Sequence, residues 1–266
     1  MERILLIETS TALCSTALAE DGVITAYRES SAPKAHASLT AVFVQEMLAE
    51  RGITLSDCDA VCVSKGPGSY TGLRVGVSTA KGLCFGADKP LLAVGTLDTL
   101  VFQAFSDNIN ADDTPHVIAR SEATWQSVSF KYIIPMIDAR RMEVYTAVFS
   151  NTSPVIPSDP SVIPSEVEGS PHYIQITETT PVIVDENSFA EYLEQGPVLF
   201  IGDGAGKCAD VIKHPNAHFC QCHPKASSML SPAVAALRAG KFEDVAYFEP
   251  FYLKEFVATV SKKKLW

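Results

Sequence analysis

The chain has 266 residues, 47% hydrophobic and 20% charged, enough apolar material for one large domain or two smaller ones and too much for a disordered chain. A formal net charge of −10 argues against broad non-specific binding to nucleic acid, which needs a basic face, while leaving open a role in nucleic-acid metabolism through a basic partner. No apolar run approaches the ~20 residues that span a bilayer. The N-terminus enters an apolar run at Ile4 with no basic region or small-residue cleavage site, so a cytoplasmic protein is expected, and the seven cysteines read as free thiols.

Residues 4–27 read as a three-stranded meander. Ile4-Leu5-Leu6-Ile7 is a fully apolar strand, Ser15 to Ala19 a second, and Asp21-Gly22 a hairpin signal before Val23 to Tyr27. Ser38 is placed to cap a helix that runs to about Arg51, with Gly52 as its C-terminal stop. Leu39, Val42, Phe43 and Met47 share one face of that helix. A strand at 60–64 leads into Gly66-Pro67-Gly68-Ser69-Tyr70-Thr71-Gly72-Leu73-Arg74-Val75-Gly76, and Ser69 or Thr71 can cap a second helix ending near Gly86, with Leu73, Val77, Ala80 and Cys84 as its apolar stripe. Leu91 to Val94 and a helix from Thr96 through Phe105 complete a β-β-β-α-β-α-β-α order.

Near Asp107 the composition turns polar, which marks a lobe boundary. A second set of strands is expected at 133–137, 144–149, 182–184 and 198–201, with a turn at Asp138 to Arg141, a short helix from Ser188 and a last helix at 228–240. This divides the chain into an N-terminal lobe at 1–106, joined by helix 228–240, a second lobe at 107–227, and a C-terminal tail at 241–266. Segments 116–131, with Trp125, and 151–171, with four prolines between 154 and 164, fit neither lobe and read as insertions. The cluster Lys262-Lys263-Lys264 reads as a solvated tail.

The glycine loop lies between a strand and a helix start, where unpaired first-turn N–H groups can hold an anion. It lacks the Gly-Lys-Ser/Thr close of a P-loop and is not G-x-G-x-x-G after a first strand. A tight turn into a closely packed helix accounts for Gly72, Gly76, Ser78 and Ala80 equally well. His36 would need a second histidine four residues on to hold a metal, and that position is Thr40. Cys220 and Cys222, inside His218 to His223, are spaced by one residue and lack a second pair, so they read as a buried strand and not as a zinc site. Glu8-Thr9-Ser10-Thr11 ends the first strand where an acidic residue could hold a metal, and no lysine or glycine follows to meet a phosphate. Gly202 to Gly206 could serve as an adenosine-side loop or as a turn. Ser64, Ser69, His36 and Asp98 can be assembled into a triad on paper, but no spacing selects them.

Ile7-Glu8-Thr9-Ser10, Cys14 to Leu18, the run Lys65 to Gly76, Pro135 to Arg141 with Glu143-Val144-Tyr145, and Pro250-Phe251-Tyr252-Leu253-Lys254 together resemble the bacterial TsaB (YeaZ) family, with Lys254 where that family's pattern has arginine. The match is close over 1–106 and looser over 133–149 and 198–256. The resemblance implies a two-lobed fold of the actin/Hsp70/sugar-kinase (ribonuclease H-like) class. It implies a role in making N6-threonylcarbamoyladenosine at position 37 of tRNAs that read ANN codons. In that family the chemistry belongs to a homologue, TsaD, and TsaB is a non-catalytic scaffold joined by a small ATPase, TsaE.

No catalytic residue, metal ligand or cofactor is therefore expected on this chain alone. ATP, Mg and metal are expected on the partner, and tRNA is expected to be met only through the complex. The partner surface is expected on helices 38–51 and 71–86, through Leu39, Val42, Phe43, Val77, Ala80, Lys81 and Cys84, with self-pairing as a homodimer when TsaD is absent. The glycine loop (Gly66, Pro67, Gly68, Ser69, Thr71, Gly72, Arg74) is expected to be architectural, with at most a vestigial nucleotide contact. The competing readings are an active ATP-dependent transferase or kinase using Glu8 and the loop, and a metallopeptidase at His36.

Overall fold

The computed structural model describes residues 1–106, 130–152 and 172–254. Most of the two expected insertions, the 107–116 boundary, Trp125 and the Lys262–Lys264 cluster lie outside the described residues.

The N-terminal half forms strands β1 (Arg3–Glu8), β2 (Cys14–Glu20), β3 (Val23–Ser30), β4 (Ala60–Gly66) and β5 (Leu91–Gly95), in the sheet order β3-β2-β1-β4-β5. The meander β1–β3 is antiparallel, while β1, β4 and β5 run parallel, each return crossing by a helix. β1 is buried from Ile4 onward because it is central and covered on both faces. Leu5, Ile7, Val61 and Val63 face helices α1 (Ala35–Arg51) and α2 (Tyr70–Ala87). Ile4, Leu6, Cys62 and Leu92 face the opposite layer, a single-turn helix at 226–229 and α6 (Leu230–Arg238). Lobe 1 thus carries its own helices on one face and a late chain segment on the other.

The second sheet is built on β6 (Tyr132–Asp138), β7 (Glu143–Thr146), β10 (Thr180–Ile183), β11 (Val198–Gly202) and β12 (Ala217–Gln221), in the order β10-β7-β6-β11-β12. A hairpin of β8 (Phe149–Thr152) and β9 (His172–Gln175) pairs with β6. The strand expected at 144–149 is therefore two strands: the chain leaves the β6–β7 ladder at Thr146 and pairs again with β6 from Phe149. One face of this sheet packs on α4 (Ala190–Leu193) and α5 (Ala205–Ala209) through Ile134, Met136, Val144 and Phe200. The other packs on α3 (Thr96–Ser106) through Ile133, Ile137, Leu199 and Ile201. Because α3 touches the strands of both sheets, it joins the lobes.

Candidate functional site

The carboxyl ends of β1, β4 and β5 converge on the glycine loop, the position at which open α/β sheets hold ligands. Here the chain fills that position itself. Ser69 is the N-cap of α2, its Oγ accepting from Gly72 N, while its own N–H donates to the Ser10 carbonyl at 2.6 Å. The Thr9 hydroxyl donates to the Gly72 carbonyl at 2.9 Å. A Cβ at Gly68 would overlap the Ser10 carbonyl, one at Gly72 the Thr9 carbonyl, and one at Gly76 the Thr9 Oγ1. These three glycines are small because the end of β1 lies against them.

Gly66 is glycine for two reasons: its φ of 104° lies in the left-handed region, and a Cβ would come within 2.8 Å of the Phe251 carbonyl. Phe251 belongs to a strap, residues 243–254. It starts at a bridge from Glu243 to Leu91 and is clasped by Lys81, whose ammonium donates to the carbonyls of Ala246 and Phe248 at 3.0 and 3.1 Å. Phe251 N then donates to the Lys65 carbonyl at 2.7 Å, Tyr252 meets the Tyr70 ring at 4.8 Å, and Lys254 pairs with Glu143 of lobe 2.

The polar groups beneath the loop are turned inward. Glu8 is fully buried; one of its oxygens accepts from Ser10 N at 2.6 Å and the other has no partner among the described residues. Burial pushes its carboxyl up to about 7, against the opposing effect of the Ser10 hydrogen bond. Asp98 is likewise raised by burial, with Lys65 opposing the shift. The paper triad does not assemble: Ser64 Oγ pairs with Thr96 Oγ1 at 2.9 Å, Ser69 caps α2, and the His36 ring meets the Thr11 carbonyl at 2.8 Å. Thr40 donates to the His36 carbonyl and meets Cys14 Sγ, so its side chain is committed within the core. His223 Nδ1 lies 3.1 Å from Thr11 Oγ1, and within the second lobe Asp203 Oδ1 accepts from Asp138 N at 2.9 Å. Lys207 pairs with Asp138. No cluster of three or more His, Cys, Asp or Glu among the described residues could hold a metal ion. Cys220 is buried and Cys222 packs beside the same α3-facing cluster.

The expected partner face needs correction. Val77, Ala80 and Cys84 are buried against β1 and β4, as their helical stripe requires, and cannot present a surface. Lys81 is spent on the strap. Leu39 and Phe43 are half-buried, and Val42 is exposed at 41%. α1 also starts three residues before Ser38, whose hydroxyl bonds back to the Lys34 carbonyl. The accessible side of α2 is instead Thr71, Arg74, Ser78, Gly82 and Phe85, the last 86% exposed. A groove of about 440 Å³ runs along its first half, from Ala37 of α1 to Tyr70, Arg74, Val75 and Ser78. The Arg74 guanidinium sits 5.4 Å from the Tyr70 ring centre. The sequence signal for this face is the off-stripe position of Phe85, one residue past Cys84: an aromatic side chain on the polar side of an amphipathic helix.

Known proteins are similar to this chain in sequence and in fold. The family model for TsaD, tRNA N6-adenosine threonylcarbamoyltransferase, matches residues 28–124. A YeaZ structure from Pseudomonas aeruginosa superposes with a TM-score of 0.72 at 24% identity, over 95% of this chain and all of that one. The fold is that of the actin/Hsp70/sugar-kinase class, with two α/β lobes each built on its own sheet. The tRNA threonylcarbamoyladenosine biosynthesis protein TsaB of Escherichia coli is 29% identical over 96% of both chains. TsaB of Haemophilus influenzae is 34% identical over 49% of this chain and 53% of its own. Over nearly its whole length the chain is thus similar to proteins of the TsaB (YeaZ) family. Among the described residues, no helix is long and apolar enough to cross a membrane.

Proposed function

We propose that this chain acts in tRNA threonylcarbamoyladenosine biosynthesis as a non-catalytic scaffold that docks on TsaD. The observation that carries the reading is the self-filled glycine loop. The chain's own backbone lies against Gly66, Gly68 and Gly72, and Thr9 lies against Gly76, so these glycines serve internal packing. The nucleotide, Mg and any metal are assigned to the partner, and TsaE and tRNA join through the complex. The docking surface is the outer side of α2 with Val42 of α1. Two features support it. Phe85 is an exposed aromatic that no described residue covers. Beyond the adjoining helix backbone and chain neighbours, Gly82 and Gly86 have no described atom within 4 Å of the point a Cβ would occupy, although each costs about 1 kcal/mol in a helix. A second helix can approach such a face closely. The TsaD family model matches residues 28–124, which include α1 and α2, and this supports a helix pair of the same kind as the occupant.

The test is to mix the purified chain with TsaD and TsaE and measure co-elution and threonylcarbamoyl transfer to tRNA, with and without this chain. Co-elution and transfer that requires the chain are expected. Transfer unaffected by its omission overturns the scaffold reading. Stoichiometric Mg-ATP binding and turnover by the chain alone would establish the active-transferase alternative.

A further inference from the structure

On the face of the lobe-2 sheet turned away from α3, strands β7 and β10 and the turn before α4 enclose an open groove of about 370 Å³. That volume falls in the ~300–1,000 Å³ range of small-ligand sites. It shares no residue with the glycine loop, the strap or the outer side of α2. Its floor is apolar: Val148, Val182, Phe189 and Tyr192 all belong to or pack on the core cluster of this face.

One floor residue is anomalous. Thr146 is 2% exposed, on the same side of β7 as buried Val144, and its Oγ1 has no hydrogen-bond partner among the described residues. Buried polar atoms are nearly always paired, so an unpaired one lining a groove marks the place where a ligand atom completes the set. The rim states the sign of that ligand. Glu178 and Glu191 line the groove, neither forms a salt bridge among the described residues, and no described lysine, arginine or histidine lines it. An anion would be repelled. A cation would meet two carboxylates and the aromatic rings of Phe189 and Tyr192, which attract ammonium groups.

We infer that this groove is a binding site for a linear alkylammonium, a polyamine in chemical class. One ammonium sits between Glu178 and Glu191, the methylene stem lies on Val148, Val182 and Phe189, and a second amine donates to Thr146 Oγ1. The site is independent of the scaffold reading and stands or falls without it.

Spermidine is the probe, titrated calorimetrically into the full chain at physiological salt. Saturable one-site binding is expected. Glu191→Gln weakens it about tenfold, and Thr146→Val about fivefold, the effects of losing a charged and a neutral hydrogen bond. Thr146→Val has a second signature: with the unpaired hydroxyl gone, the ligand-free chain melts at a higher temperature. Glu46→Gln, on α1 beside Arg28 in lobe 1, leaves the affinity unchanged. The inference is overturned by absence of saturable binding, by Thr146→Val binding as the native chain does, or by Glu46→Gln weakening binding as much as Glu191→Gln, which would show diffuse attraction to an acidic protein.

Discussion

On its inner side α2 carries Gly72 and Gly76, and on its outer side Gly82 and Gly86, and the two pairs differ in what surrounds them. The inner pair lies against Thr9, whose carbonyl and hydroxyl occupy the space that side chains would need. Around the outer pair, beyond the adjoining helix backbone and chain neighbours, there is no described atom within 4 Å of where a Cβ would stand. Both pairs sit in one helix with ordinary helical backbone, so conformational freedom explains neither. The inner glycines are explained by the fold of this chain. The outer ones are explained by nothing among the described residues, and that is the contrast a close-packing partner resolves. The same contrast separates the two readings of the glycine loop: the residues that resemble a phosphate cradle are consumed by internal packing, and the proposed docking side of the helix begins where that packing ends.

The largest effect is expected on the inner side. Gly72→Ala drives a methyl into the Thr9 backbone carbonyl, which cannot rotate away, and the loss of stability is expected to exceed ~3 kcal/mol, beyond ordinary overpacking. Denaturant unfolding of the isolated chain checks it. Gly76→Ala meets the Thr9 hydroxyl, a side-chain atom, so Thr9→Ala should recover part of its loss in a double-mutant cycle, whereas it cannot rescue Gly72→Ala. Equal rescue of both would break the account of the inner face.

Beneath that face, Glu8 gives a pH signature of similar size. In the unfolded chain its carboxyl titrates near 4.5, and in the folded chain near 7. Between those values the folded state keeps a proton that the unfolded state has lost. The folded state binds more protons, so stability falls as pH rises through this window and is level above it. The contribution is about 3 kcal/mol, taken from 1.36 kcal/mol for each pH unit between the two values. Glu8→Gln should remove the slope, and the variant should exceed the native chain in stability above pH 7. Parallel stability profiles for the two proteins would show that Glu8 is ionised and satisfied in the fold.

Much of lobe 1 is legible in the sequence because its signals are local: an apolar run for β1, Asp21-Gly22 for the hairpin, Ser69 at the start of α2 and Gly52 at the end of α1. The start of α1 is not, because Ser38 looks like a cap, while the helix begins after Lys34 at φ 67° with no side-chain cap at all. The partner face misleads for a more instructive reason. The stripe Leu73, Val77, Ala80 and Cys84 is apolar as expected, but an apolar stripe on a helix that crosses between parallel strands is owed to its own sheet. What remains for a partner is the opposite side, where the signal is small residues and one misplaced aromatic. The strap is out of reach of any local pattern, since Phe251 and Lys65 are separated by most of the chain and meet through backbone atoms that every residue carries.

On the outer side the expected effects are on binding and not on folding. Phe85→Asp changes a ring that is 86% exposed, so the isolated chain should keep its stability within about 0.5 kcal/mol. Docking on TsaD should weaken by about 2–3 kcal/mol, roughly 30- to 150-fold, the loss typical of an aromatic anchor. Native-like co-elution of Phe85→Asp with TsaD would remove the outer face from the interface.

The smallest effect is the most discriminating, because its two parts have opposite signs. Gly82 is helical, exposed and unhindered, so Gly82→Ala should stabilise the isolated chain by about 1 kcal/mol through helix propensity and a less flexible unfolded state. If the outer face packs closely on a partner helix, the added methyl stands in the interface and docking should weaken while the chain itself becomes more stable. A merely solvated face predicts the gain in stability with no change in docking. Thermal unfolding of the chain alone and titration with TsaD read the two parts separately, and the same substitution at Gly76, on the inner side, reverses the first sign.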